Sequence, residues 1–159
     1  MKKLLLIRHA KAVHDLKYDD FERPLKLSGI RDAEMMAVRL KANGYVPQEV
    51  VASPALRTRS TADIFAAFLT IPGPILDTRI YEAGPITLLD VINDFDNEKD
   101  FIALGGHNPA MEQIVNYLSG ERVDFPTCAI ALLEFELDEW AGISSLTGKL
   151  SWFSIARED

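Results

Sequence analysis

Leu4-Leu5-Leu6-Ile7-Arg8-His9-Ala10 commits this chain to one class of architecture. Four consecutive large aliphatic residues leave no polar face, so the run reads as a short strand buried on both sides. That is the mark of a parallel sheet covered by helices. Arg8 and His9 end the run after four residues, too early for a secretory leader, whose apolar region needs about 7–15.

Further along, Glu49 to Ala52 reads as a second strand, Ile75 to Ile80 as a weaker third and Phe101 to Leu104 as a fourth. Helical spacing fills the intervals. Ile30, Ala33, Ala37 and Leu40 share one face, with Ser28 as the expected N-cap and Gly44 as the stop. Ala55, Arg59, Ala62, Ala66 and Leu69 mark a second helix, ended by Pro72-Gly73-Pro74. Leu88, Leu89, Ile92 and Phe95 mark a third, opened by Pro85. Met111, Ile114, Val115 and Leu118 mark a fourth, between Pro109 and Gly120. Cys128 to Leu137 and Lys149 to Ala156 then read as two longer strands that could pair as an edge hairpin. The expected architecture is a single α/β domain over residues 1–159. It is a three-layer sandwich: a central, mainly parallel sheet, helices on both faces, and a C-terminal edge hairpin.

Seventeen Lys and Arg against 24 Asp and Glu leave a net charge of −7, which argues against charge-driven binding to nucleic acid or anionic membrane. A small basic pocket remains compatible with it. No stretch approaches the ~18 apolar residues of a membrane span. Cys128 is the one cysteine, so no intramolecular disulfide can form, and a reducing cytoplasm is the expected location. The acidic run from Asp90 to Asp100 reads as a solvated helix end and loop.

Ligands of open α/β sheets bind beyond the carboxyl ends of the strands. Arg8 and His9 follow the first predicted strand, and Ser53, Pro54 and Arg57 the second. Glu82 follows the third, and Gly105, Gly106, His107, Asn108 and Pro109 the fourth. Two arginines, two imidazoles and a carboxylate thus converge on one sheet edge. A guanidinium offers a rigid fork of donors that fits phosphate oxygens and stays charged at any working pH. Histidine can attack phosphorus, which divides one difficult displacement into two easier ones. A carboxylic acid can protonate the departing oxygen. The chemistry that suits this set is phosphoryl transfer through a phosphohistidine, with no metal and no cofactor.

The segments Leu6-Ile7-Arg8-His9-Ala10, Ser53 to Ala62 and Gly106-His107-Asn108-Pro109 resemble, in order, the three signatures of the histidine phosphatase superfamily. Glu22-Arg23-Pro24-Leu25 and Tyr81-Glu82-Ala83 narrow the resemblance to the SixA-type phosphohistidine phosphatases. The resemblance implies that His9 is the nucleophile and that Arg8, Arg57 and His107 hold the phosphoryl oxygens. It also puts Glu82 where many members carry a proton donor. Ala10 stands where most of the superfamily has glycine. The implied substrate is phosphohistidine on a signalling protein; a small phosphate ester is the alternative within the same superfamily.

Other readings of these residues are blander. His14 lies in a polar loop, Arg59 faces another side of its helix, Ser53 could simply cap the following helix, and Cys128 fits a small core position. Lys11 and Arg23 are candidates for the mouth of a cleft. A metal site built from His9, His107 and Glu82 would have two arginines opposing the cation. A non-catalytic phosphate-binding module would not need every catalytic group. The short segments between the motifs leave little material for a lid, so an open cleft is expected.

Overall fold

A computed structural model describes residues 1–156. Its sheet has six strands: β1 (Lys2–Arg8), β2 (Glu49–Ala52), β3 (Ile75–Leu76), β4 (Phe101–Gly106), β5 (Ile130–Phe135) and β6 (Gly148–Ser154). They lie in the order β3-β2-β4-β1-β5-β6. β1 pairs parallel with β4, β4 with β2, and β2 with β3, whereas β5 runs antiparallel to both β1 and β6. β5 alone is reversed, so the sheet is mainly parallel and the closing hairpin forms one edge, as the tail of the sequence suggests.

Four helices cover it: α1 (Leu27–Ala42), α2 (Leu56–Leu69), α3 (Pro85–Asn93) and α4 (Ala110–Ser119). The Leu4–Ile7 run explains why both faces are covered. Side chains alternate across a strand. Leu4 and Leu6 accordingly join a core with Leu88 and Ile92 of α3 and Met111 and Ile114 of α4. Leu5 and Ile7 join another with Met36 and Leu40 of α1 and Phe65 and Leu69 of α2. The result is the three-layer α/β sandwich expected from the sequence.

Local expectations shift at several element ends: α3 stops at Asn93, before Phe95, and the last two strands end at Phe135 and Ser154 rather than Leu137 and Ala156. The third strand stops at Leu76, and Thr78–Ile80 form a single 3-10 turn, because the Asp77 carboxylate accepts the Arg79 N–H at 3.0 Å and caps that turn instead of extending the ladder. Helix α1 begins at Leu27, with Lys26 rather than Ser28 at its N-cap. There the Lys26 N–H is already engaged by the Lys11 carbonyl at 2.9 Å. Thr70 ends α2 in the left-handed region, ahead of the proline turn. Cys128 lies before β5 rather than in it, at φ 63°, with its N–H donating to the His9 carbonyl at 3.0 Å. The thiol is fully buried, which pushes its pKa up to about 12. Gly44, at φ 75°, stops α1 in the place its sequence predicts.

Candidate active site at the carboxyl edge of the sheet

β1 and β4 run side by side and in register, Ile7 opposite Gly105 and Arg8 opposite Gly106, so Arg8-His9 and His107 emerge together. The His9 N–H donates to the Gly106 carbonyl at 3.1 Å, and the Arg8 N–H to the Ala129 carbonyl at 3.1 Å. Arg57 arrives on the first turn of α2. Thr61 ties that turn to the segment that follows β1, since its hydroxyl donates to the Arg57 carbonyl at 2.7 Å and accepts the Ala10 N–H at 3.0 Å. A threonine hydroxyl in a helix can reach the carbonyl four residues back. That is how one threonine fixes both.

His9 is 7% exposed, and its Nδ1–H donates to the Ala10 carbonyl at 2.8 Å. A carbonyl can only accept, so Nδ1 carries the proton and Nε2 holds a lone pair. No group among the described residues bonds that Nε2. Burial, with smaller contributions from His107, Arg57 and Arg8, pulls the pKa of His9 down to about 3. The ring is therefore neutral and nucleophilic at ordinary pH.

His107 lies beside it, with ring centroids 5.3 Å apart. Arg57 donates to His107 Nδ1 at 3.4 Å, which leaves the His107 proton on Nε2, donated to Ser53 Oγ at 2.8 Å. Thr58 Oγ1 lies 3.3 Å from the same nitrogen. Burial and then the charge of Arg57 hold the pKa of His107 down at about 4. Ser53 also accepts the Ala55 N–H at 3.3 Å, so it braces the turn that leads into α2 and orients His107 at once, while α2 itself, with Ala55 at its N-cap, has no side-chain cap.

Arg8 donates to the Phe125 carbonyl at 3.0 Å. Asn108 donates to the same carbonyl at 3.0 Å and to Glu112 at 2.8 Å, so Glu112 braces this side of the site. The Nε atoms of Arg8 and Arg57 are buried without a partner, a state found at no other side-chain nitrogen or oxygen among the described residues. Arg8, His9, Arg57 and His107 all line one pocket of about 240 Å³.

Glu82 is not brought to that pocket. It sits exposed in the turn after Thr78–Ile80, at φ 58°, and its neighbour Tyr81 turns inward instead. The Tyr81 ring packs edge-on against His107, centroids 5.7 Å apart, and its hydroxyl donates to Asp20 at 2.6 Å. Asp20 also binds Arg57, through its carboxylate at 3.1 Å and its carbonyl at 2.7 Å, and takes Arg23 Nε at 3.2 Å. The Tyr81 hydroxyl first, then the nearby arginines, hold the pKa of Asp20 down at about 2. Sequence reasoning missed Asp20 and the roles of Tyr81, Thr58 and Thr61. The one signal for Asp20 was length. The segment between β1 and α1 is longer than the usual structureless connection, and such loops are commonly functional. Lys11, Arg23 and also His14 line the pocket mouth, whereas Arg59 is exposed elsewhere on α2.

Known proteins carry the same arrangement of chain. The model of the histidine phosphatase superfamily, branch 1, matches residues 4–84. An uncharacterised protein of Mycobacterium tuberculosis is 31% identical over 163 residues, spanning 95% of this chain and 100% of that one. The chain belongs to the histidine phosphatase superfamily. His107 lies beyond the matched segment, but structural likeness covers 97% of the chain. A protein of Agrobacterium tumefaciens assigned to the SixA phosphohistidine phosphatases superposes with a TM-score of 0.83 at 26% identity, over 97% of both chains. The protein histidine phosphatase SixA in complex with tungstate shares the fold at 23% identity, with a TM-score of 0.80 over 97% of both chains. Within the superfamily, the chain is thus similar in structure to the SixA proteins.

Proposed function

We propose that this member of the superfamily is a cytoplasmic phosphohistidine phosphatase that works through a covalent intermediate on His9. The observation that carries the reading is the His9 tautomer. Nδ1 is tied to the Ala10 carbonyl at 2.8 Å, so the lone pair is on Nε2, beside two arginines and a second imidazole. Nε2 attacks phosphorus while the bond from phosphorus to the leaving nitrogen breaks. That nitrogen departs with the electron pair and takes a proton. Water then attacks phosphorus in the second step, the bond to Nε2 breaks, and inorganic phosphate leaves.

Arg8 and Arg57 stabilise the negative charge on the phosphoryl oxygens, the usual source of rate in such transfers. The incoming dianion offsets the arginine charge that depresses the pKa of His107, so His107 can take a second proton and become a further donor. Two guanidiniums, Arg57 buried and Arg8 half-buried, suit a phosphate and oppose a dication, so chelators are expected to leave the rate unchanged. A pocket of about 240 Å³ is smaller than the roughly 300–1,000 Å³ of pockets that enclose a small molecule. Such a pocket suits a phosphorylated side chain standing on a protein surface better than a small phosphate ester held whole.

Rapid quench with a radiolabelled phosphohistidine protein is the direct test. The label should appear in an acid-labile, alkali-stable bond on His9, and His9→Ala should abolish turnover without loss of fold. A label on a serine or a carboxylate would overturn the mechanism, as would restoration of an inactive, dialysed enzyme by zinc or magnesium.

A further inference from the structure

We infer that the mouth of this pocket is a docking surface for an acidic protein face, the face that carries the phosphorylated side chain. The inference rests on the phosphoprotein reading above and adds what the partner must look like. Arg8, Lys11, Arg23, Lys26 and Arg57 all line the pocket, and among the described residues no aspartate or glutamate lines it, in a chain whose net charge is −7. Asp20 pairs with Arg23 and Arg57, which leaves Arg8, Lys11 and Lys26 to set the sign. Such a concentration of one sign runs against the rest of the molecule.

The rim charges come from the loop between β1 and α1. The Lys26 N–H donates to the Lys11 carbonyl at 2.9 Å, and the Val13 N–H to the Pro24 carbonyl at 2.8 Å, so the two lysines sit together at the loop's base. Gly29 permits this closure, since a Cβ there would lie 2.2 Å from the Lys11 carbonyl oxygen. Lys11 reaches Asp32 only at 4.0 Å and is 54% exposed, and Lys26 makes no ion pair among the described residues. Exposed ammonium groups on flexible stems act as point charges that steer a partner, not as a fork that grips one ligand. Leu16, in the same loop, is fully exposed, an apolar contact suited to a protein surface and of no use to a small anion.

The opposite end of the sheet carries the complementary sign. Asp96, Glu98 and Asp100 are exposed just before β4, and His107 follows it, roughly 20 Å away at 3.3 Å per residue. An acidic partner is repelled from one edge and drawn to the other, which orients the encounter before contact.

The test uses two synthetic phosphohistidine peptides of equal length, one flanked by Asp and Glu, the other by Ser and Asn. Binding is read by fluorescence anisotropy with His9→Ala, which cannot turn them over. At low salt the acidic peptide should bind at least about tenfold tighter, within the range of steering effects. The preference should fall to about twofold in Lys11→Glu/Lys26→Glu. It should persist in Lys41→Glu/Lys149→Glu, which changes the net charge equally on other faces. Equal binding of the two peptides, or a preference that survives reversal of Lys11 and Lys26, would overturn the inference. A small bisphosphate competing as strongly as the acidic peptide would also overturn it. A phosphoserine pair run in parallel with native enzyme separates the two claims. Turnover of phosphoserine alone, with the acidic preference intact, sinks the phosphohistidine reading and leaves the docking surface standing.

Discussion

Strand β1 carries a buried cation at its amino end and a half-buried one at its carboxyl end, and the two are treated in opposite ways. Lys2 is 1% exposed, and its ammonium donates to the Asn97 carbonyl at 2.8 Å, the Lys99 carbonyl at 3.3 Å and the Asp100 carboxylate at 2.8 Å. All three N–H groups are used, and the Trp140 ring lies beneath at 5.6 Å. Arg8 spends one donor on the Phe125 carbonyl and keeps Nε without a partner, as Arg57 does beside it. Buried polar groups are normally satisfied. The satisfied cation holds the fold together, and the unsatisfied ones leave donor capacity for a ligand.

Arg57→Ala puts this division under the greatest strain. Asp20, its partner, is 56% exposed and keeps its bonds to Tyr81 and Arg23, so it loses little. Thermal stability should therefore hardly change, while kcat/KM should fall by about 10²–10³, the usual cost of one transition-state donor. A large drop in Tm with an unchanged rate would put Arg57 in the same class as Lys2.

Lys2→Ala is the mirror experiment. It strips charge-assisted bonds from two carbonyls and opens space beside Trp140, for a loss of about 2–3 kcal/mol. Tm should fall by about 5–10 °C for a chain of this size. The rate below that temperature should remain native, because no pocket residue touches Lys2. A loss of rate at full folding would refute the division of roles.

The carboxyl edge also sets an acid limit on stability. His9 titrates at about 3 and His107 at about 4 when folded, both below the ordinary 6.5. Between those values the unfolded chain binds more protons, so stability rises with pH there and is lost as pH falls from about 6.5. The expected loss is on the order of 1–2 kcal/mol per histidine between pH 6.5 and 5. Asp20, held at about 2, gives up its contribution only in a separate window below the ordinary 3.8. Inorganic phosphate should shrink the histidine loss, because an anion favours the charged ring. A Tm that is flat from pH 7 to 5 would contradict the burial of these rings.

These contrasts were legible in the sequence where regular structure dictated position. Arg8, His9 and His107 come directly after strands, and a parallel sheet gathers the residues at its strand ends on one edge. Arg57 could be read because α2 starts directly after β2. Asp20 was not legible, since it lies in an irregular loop where neither period 2 nor period 3.6 says what a side chain meets. Tyr81 was hidden for a related reason. Asp77 caps a 3-10 turn where a longer strand was expected, and that turn changes which of Tyr81 and Glu82 faces His107.

Glu82 offers the finest probe of the carboxyl edge. It is exposed, outside the pocket lining, and held at φ 58°, a region costly for any residue with a Cβ. Glu82→Gln keeps the backbone and the side-chain size and removes only the carboxylate, so it isolates acid catalysis from loop geometry. The size of the effect depends on the leaving group. A phosphohistidine releases an imidazole that protonates near neutral pH, whereas an alkyl phosphate releases a far more basic alkoxide. If Glu82 delivers a proton, alkyl ester hydrolysis should fall by at least about tenfold, the low side of general-acid effects. Hydrolysis of a phosphohistidine protein should slow only mildly. Equal losses on both substrates would refute the leaving-group argument. No loss on either would move the proton donor to the inward-facing pair, where the Tyr81 hydroxyl already bonds Asp20 at 2.6 Å beside His107.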